Sequence, residues 1–131
     1  MNKLLLAKKN KDKYPNPYDI HFYFDSSHTS DMIGAIDIMK RLKQLFPWLK
    51  MYEPYLKPVG PHPKPMWEAD FIDCPDIETE FYKVLEWLNN EHKHYSVLIH
   101  PNTPDGNLLD HTQNAIWLGT PLKLDCSIFS D

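Results

Sequence analysis

The segment Asp19-Ile20-His21-Phe22-Tyr23-Phe24-Asp25 decides the fold. Its aromatic content reads as a β-strand, and a strand turns successive side chains to opposite faces. Ile20, Phe22 and Phe24 therefore share one face, and His21 and Tyr23 share the other. Two segments further along repeat the pattern. Met66 to Ile72 puts Trp67, Ala69 and Phe71 on one face and Glu68 and Asp70 on the other. Tyr95 to His100, closed by Pro101, puts Val97 and Ile99 opposite His100.

Two helical patterns lie between these strands. Ser30 reads as the cap of the first, with Asp31 in its first turn. Met32, Ile33, Ile36, Met39, Leu42 and Phe46 keep roughly helical spacing until Pro47 ends it. Pro75 suits the start of the second, whose apolar stripe is Ile77, Phe81, Val84, Leu85 and Leu88. A short strand is expected near Lys50–Pro54. The run Pro58 to Pro65 (P-V-G-P-H-P-K-P) can be neither helix nor central strand, so it is an ordered loop. Near the end, Asp110 reads as the cap of a short helix from His111 to Leu118, stopped by Gly119. Residues 1–17 read as a polar tail and turn, which leaves 18–131 as a single domain. The order β-α-β-β-α-β is the ferredoxin-like α+β plan: an antiparallel sheet, both helices on one face, and here a short C-terminal helix.

Composition narrows the function classes. The chain has 131 residues, 42% hydrophobic and 13% aromatic, enough for one domain with a real core. A formal net charge of -4 argues against nucleic acid as a main partner, because phosphate binding needs a basic face. Cys74 and Cys126 are too few for a disulfide framework and read as reduced structural thiols. Leu4-Leu5-Leu6-Ala7 is too short for a signal-peptide core and runs straight into Lys8-Lys9-Asn10-Lys11. With no stretch near the roughly 18 apolar residues of a membrane span, no membrane partner is expected and the cytoplasm is the expected compartment.

Seven histidines occur. His28 falls in a turn, and His92 and His94 fall at a helix end, where a cationic ring complements the helix dipole. The others fall near strand boundaries. In the ferredoxin-like plan the first and third strands are central and parallel, and the fourth runs antiparallel beside the first. That gathers His21, His62 and His100 at one edge, with His21, His100 and Glu68 on the sheet face that carries no helix. Each ring alone is accounted for by a satisfied hydrogen bond in core or surface. Three together can hold Zn²⁺ or Fe²⁺ with positions left for substrate. Glu68 is a rival ligand or an orienting group behind one, and Tyr23 is placed to hydrogen-bond a substrate.

The strings Tyr18 to Asp25, Pro58-Val59-Gly60-Pro61-His62-Pro63, and His100-Pro101-Asn102-Thr103 with Asp110-His111-Thr112 resemble the DOPA 4,5-dioxygenase family of small extradiol dioxygenases. The likeness runs from Tyr18 to Phe129. It departs at Thr103-Pro104-Asp105-Gly106-Asn107, where the family has a tighter turn, and in the longer polar tail. The resemblance implies non-haem Fe²⁺, O₂ and a small aromatic diol, opened beside its hydroxyls. His21, His62 and His100 are then the metal ligands, and His111 is the catalytic acid–base. Two other readings use the same histidines. One is a zinc hydrolase or lyase. The other is a non-catalytic metal- or small-ligand-binding module, with a homodimer through the uncovered sheet face as its candidate assembly.

Overall fold

Alternation along three strands produces the sheet at the centre of the molecule. The computed structural model describes residues 14–130, so the runs Leu4–Ala7 and Lys8–Lys11 and most of the expected tail lie outside the described residues. In chain order the elements are β1 (Tyr18–Tyr23), α1 (Thr29–Leu45), β2 (Lys50–Met51), β3 (Met66–Asp70), α2 (Ile77–Glu91), β4 (Val97–Pro101), α3 (Asn107–Asp110) and β5 (Ile116–Leu118), followed by a 3-10 turn at Cys126–Ile128. The sheet order is β2-β3-β1-β4-β5, and every pairing is antiparallel.

One face carries the main core. Ile20, Phe22, Phe24, Trp67, Ala69, Phe71, Val97 and Ile99 meet Ala35, Ile38 and Leu42 of α1 and Phe81, Val84 and Leu88 of α2. Trp67 stacks on Phe22 at 4.7 Å between ring centroids and donates its indole N–H to the Ala35 carbonyl. A buried Trp needs such an acceptor, so the bond ties α1 to the sheet. Burying each large side chain on this face contributes about 1.5–3 kcal/mol.

Four expectations need correction. First, β1 and β3 run antiparallel, with Asp19 opposite Asp70 and Tyr23 opposite Met66. The hairpin-like return from β2 reverses the chain, so His62 approaches β3 at the Tyr23 end, away from the end where Asp19 pairs with His100. Second, no helix starts at His111. α3 precedes that residue, and Ile116–Leu118 pairs with Val97–Ile99 as a fifth strand. Beyond it Gly119 takes φ +73, where an added Cβ would sit 2.5 Å from the Tyr95 carbonyl oxygen. Third, the face without α1 and α2 is not open. Tyr23, Met66 and Leu98 are buried there under Ala115, Trp117, Leu122 and Leu124. Fourth, on α1 Ile33 is 61% exposed, whereas Ile38 is buried and takes its place in the core.

The helix starts also shift slightly. α1 begins at Thr29, not after Ser30, and Asp31 accepts a hydrogen bond from the Asp25 backbone N–H. α2 begins at Ile77, two residues past Pro75. No helix among the described residues is long and apolar enough to cross a membrane.

Candidate metal centre

Four buried histidines meet on the second face of the sheet. Strand alternation turns His21 on β1 and His100 on β4 to that face, and antiparallel pairing makes them neighbours. Their Nε2 atoms lie 3.1 Å apart. His111 follows α3, and its ring centroid is 3.9 Å from that of His100. His62 is delivered by the proline-rich loop, which folds back over the sheet. That fold is held by Phe24 N–H to the Pro65 carbonyl and by Asp125 N–H to the Pro61 carbonyl. Its ring then lies 4.1 Å from that of His21.

The second ring nitrogen of each histidine decides what the first can do. The Nδ1 atoms of His100 and His111 lie 3.0 and 2.8 Å from the carbonyls of Pro101 and Asn107. A carbonyl only accepts, so these nitrogens carry the proton and the two Nε2 atoms are bare. One nitrogen each from His21, His100 and His111 lies within 4.8 Å of the others, so this group can hold a metal ion. His62 stands beside that group, with Nδ1 2.7 Å from the Tyr23 hydroxyl.

Burial holds all four rings neutral. It lowers the pKa of His62, His100 and His111 to about 4 and that of His21 well below the ordinary value, with the neighbouring imidazoles adding to the effect at His21, His62 and His111. Neutral imidazoles keep the lone pairs that a cation needs, so an ion can bind the three grouped nitrogens without first displacing a second proton from each ring. Burial also keeps the Tyr23 phenol protonated.

Carboxylates surround the rings. Glu68 sits opposite His21 in the β1–β3 register, with its Oε2 3.9 Å from His21 Nδ1. Burial and then the charges of Asp19 and Asp70 push its pKa up to about 7. Asp110 faces backwards, against expectation. Its carboxylate accepts from the Thr103 backbone N–H and hydroxyl, each at 2.7 Å, and from Asn114 at 3.0 Å. It therefore closes the Thr103–Asp110 loop, which is how His111 is presented.

The segments that deliver these rings all fall within one family match. The sequence profile of the Dopa 4,5-dioxygenase family matches residues 18–128. The chain belongs to that family. Similar proteins include an uncharacterized 21.2 kDa protein of Botryotinia fuckeliana, 33% identical over 94% of this chain and 73% of its own. A crystal structure of a candidate dioxygenase from Nostoc punctiforme PCC 73102 superposes with a TM-score of 0.72. It is 31% identical, over 84% of this chain and 87% of that one. The family profile spans all four histidines.

Sequence reasoning missed Asp19 and the sulfur of Met66. The Met66 Sδ lies 3.2 Å from His21 Nδ1, and Asp19 Oδ2 lies 3.4 Å from His100 Nε2. Asp19 was discoverable, because a residue two positions before His21 on a strand shares its face. The other histidines stay apart. His92 Nδ1 bonds the Tyr95 carbonyl, His94 pairs with Asp31, and His28 pairs with Asp25 at the surface. Trp117, expected on a helix, lies on β5 and stacks on Tyr23 at 5.8 Å. It lines a cleft of about 510 Å³ together with His111, Leu122, Lys123, Leu124 and Cys126.

Proposed function

We propose that this chain is an iron-dependent extradiol dioxygenase that opens a catechol-type ring with O₂, with His21, His100 and His111 as its metal ligands. One observation carries the reading: three buried nitrogens, two of them stripped of protons by backbone carbonyls, converge within 4.8 Å in a member of this family. Three imidazoles accept either iron or zinc, and the family's redox chemistry favours iron.

Bound there, a ferrous ion supplies Lewis acidity towards the diol and a redox partner for O₂. The overall change balances without an external reductant. Both oxygen atoms enter the product, the ring C–C bond beside the diol breaks, and an acid and an aldehyde result. The chain's own groups position and donate hydrogen bonds. Trp117, Leu122 and Leu124 form an apolar wall for a ring beside His111. His111 takes the place of His62 in the ligand set read from sequence. With the Tyr23 hydroxyl donating to its Nδ1, His62 carries its proton on Nε2 and offers that N–H as a hydrogen-bond donor, not a lone pair as a ligand. Tyr23 then acts through His62, being itself 1% exposed. Glu68 orients His21 from its distal nitrogen.

The test is anaerobic loading with Fe²⁺, then O₂ and a panel of catechols. The expected result is one O₂ consumed per diol and a yellow ring-opened product. Zinc retained at full occupancy, with no oxygen uptake after ferrous reconstitution, overturns the dioxygenase in favour of hydrolase or lyase chemistry.

A further inference from the structure

We propose that Asp19 is a further catalytic residue of this centre, whose Oδ2 accepts the hydrogen bond of a diol hydroxyl bound beside His100. This role rests on the metal reading above and adds to it a group that recognises the second hydroxyl.

Asp19 is held firmly from one side. It lies on β1 two residues before His21 and on the same face, opposite His100 across the β1–β4 pairing. Asn16 donates to its Oδ1 at 2.6 Å. Asn102 is anchored by its backbone N–H to the Pro17 carbonyl and by its amide to the Asn16 carbonyl, and reaches Oδ2 only weakly, at 3.4 Å. Oδ1 is thus occupied and Oδ2 is left with acceptor capacity.

That oxygen is aimed at the centre. It lies 3.4 Å from His100 Nε2, the nitrogen whose proton is excluded by the Pro101 carbonyl. That nitrogen has no proton to give Asp19 and its lone pair is committed to the ion, so the carboxylate oxygen is left to accept from a donor beside the ligand. Among the described residues, the basic side chain found within 4.0 Å of the Asp19 carboxylate is this histidine, which is neutral and supplies no charge. A buried carboxylate without a fixed cation is costly, and an adjacent divalent ion offsets that cost. Asp19 does not join the three nitrogens that converge within 4.8 Å. It is therefore placed beside the ion's ligands, where a hydroxyl on the ion would point its hydrogen. It also lines a cleft of about 420 Å³ with Asn16, Asn102, Thr103 and Asp110. Asp19 thus opens to this cleft, while His111 lines the separate cleft that holds Trp117.

The experiment compares wild type with Asp19→Asn as anaerobic ferrous proteins. Iron content is measured first, and then the affinity for catechol and for 2-methoxyphenol, which lacks the second hydroxyl proton. Asp19→Asn should keep one iron per chain, bind catechol at least tenfold more weakly, and bind 2-methoxyphenol as wild type does. Asn102→Ala keeps the carboxylate but loosens it, and should show a smaller loss for catechol alone. A folded Asp19→Asn that loses iron makes Asp19 a ligand and overturns this role, as does an unchanged catechol affinity. Wild-type protein that takes no iron, or takes iron and binds neither phenol, overturns the proposed function and this role with it.

Discussion

His21 and His100 lie diagonally across neighbouring strands with their Nε2 atoms 3.1 Å apart. Two nitrogens that each lie about 2.1 Å from one ion, at a right angle, are about 3.0 Å apart. Without an ion, His21 must donate a proton to the bare His100 nitrogen. With one, the His21 proton would sit on Nδ1 instead, on the side of Met66 and Glu68, and both Nε2 lone pairs would be free for the cation. The spacing therefore serves both states with little movement of the strands.

Replacing a ligand and replacing a hydrogen-bond donor should look different. His21→Ala, His100→Ala and His111→Ala are each expected to abolish stoichiometric iron binding. His62→Ala should retain iron and lose about 10²–10³-fold in turnover, the size of one lost hydrogen-bond donor at a developing charge. Metal analysis beside steady-state rates separates the two classes, and iron loss in His62→Ala would restore it to the ligand set.

Metal removal should lower stability. An ion that binds only the folded state at a hundred times its Kd contributes about 2.7 kcal/mol. Chelated protein should therefore melt at a clearly lower temperature than iron-loaded protein in a thermal scan, and the gap should vanish in His100→Ala.

Asp110 should matter through His111 and not through the metal directly. Asp110→Ala leaves the buried Thr103 N–H and hydroxyl without their acceptor, a loss of about 1–3 kcal/mol in denaturant unfolding. Because the freed loop precedes His111, iron affinity should weaken by more than the change in stability of the remaining fold explains.

A pH effect is expected far from the centre, at Asp31. Burial would raise its pKa, but hydrogen bonds from His94 and the Asp25 backbone outweigh this and hold it below the ordinary aspartate value. A depressed folded pKa means that the contribution is fully present above the unfolded value of about 3.9, and is lost as pH falls through the folded one. Asp31→Asn should therefore be less stable than wild type at pH 6, and the difference should shrink in unfolding curves taken below pH 4.

Much of the centre is legible in the sequence because strands have a short period. Alternation in Asp19–Asp25 and Val97–His100 is enough to place His21 and His100 on one face. The direction of β3 is not legible, since it depends on how β2 returns. His62 joins the others by a different route from the one the sequence suggests. The loop brings it over the face, whereas a parallel strand would have brought it to an edge. Asp110-His111 carries the same letters as a helix cap, but the Asp110 carboxylate bonds backwards to Thr103. β5 is only three residues long, too short to show a period. Asp19 escapes notice because a carboxylate at a strand's beginning is ordinary, until pairing sets it opposite His100.

The central claim is most directly tested by the crystal structure of the Fe²⁺-loaded protein, with the ion located by anomalous scattering. The expected result is one ion, about 2.0–2.2 Å from Nε2 of each of His21, His100 and His111, with His62 bonded to Tyr23 and off the ion. An ion ligated by His62 in place of His111, or no ion among these histidines at full iron loading, would contradict it.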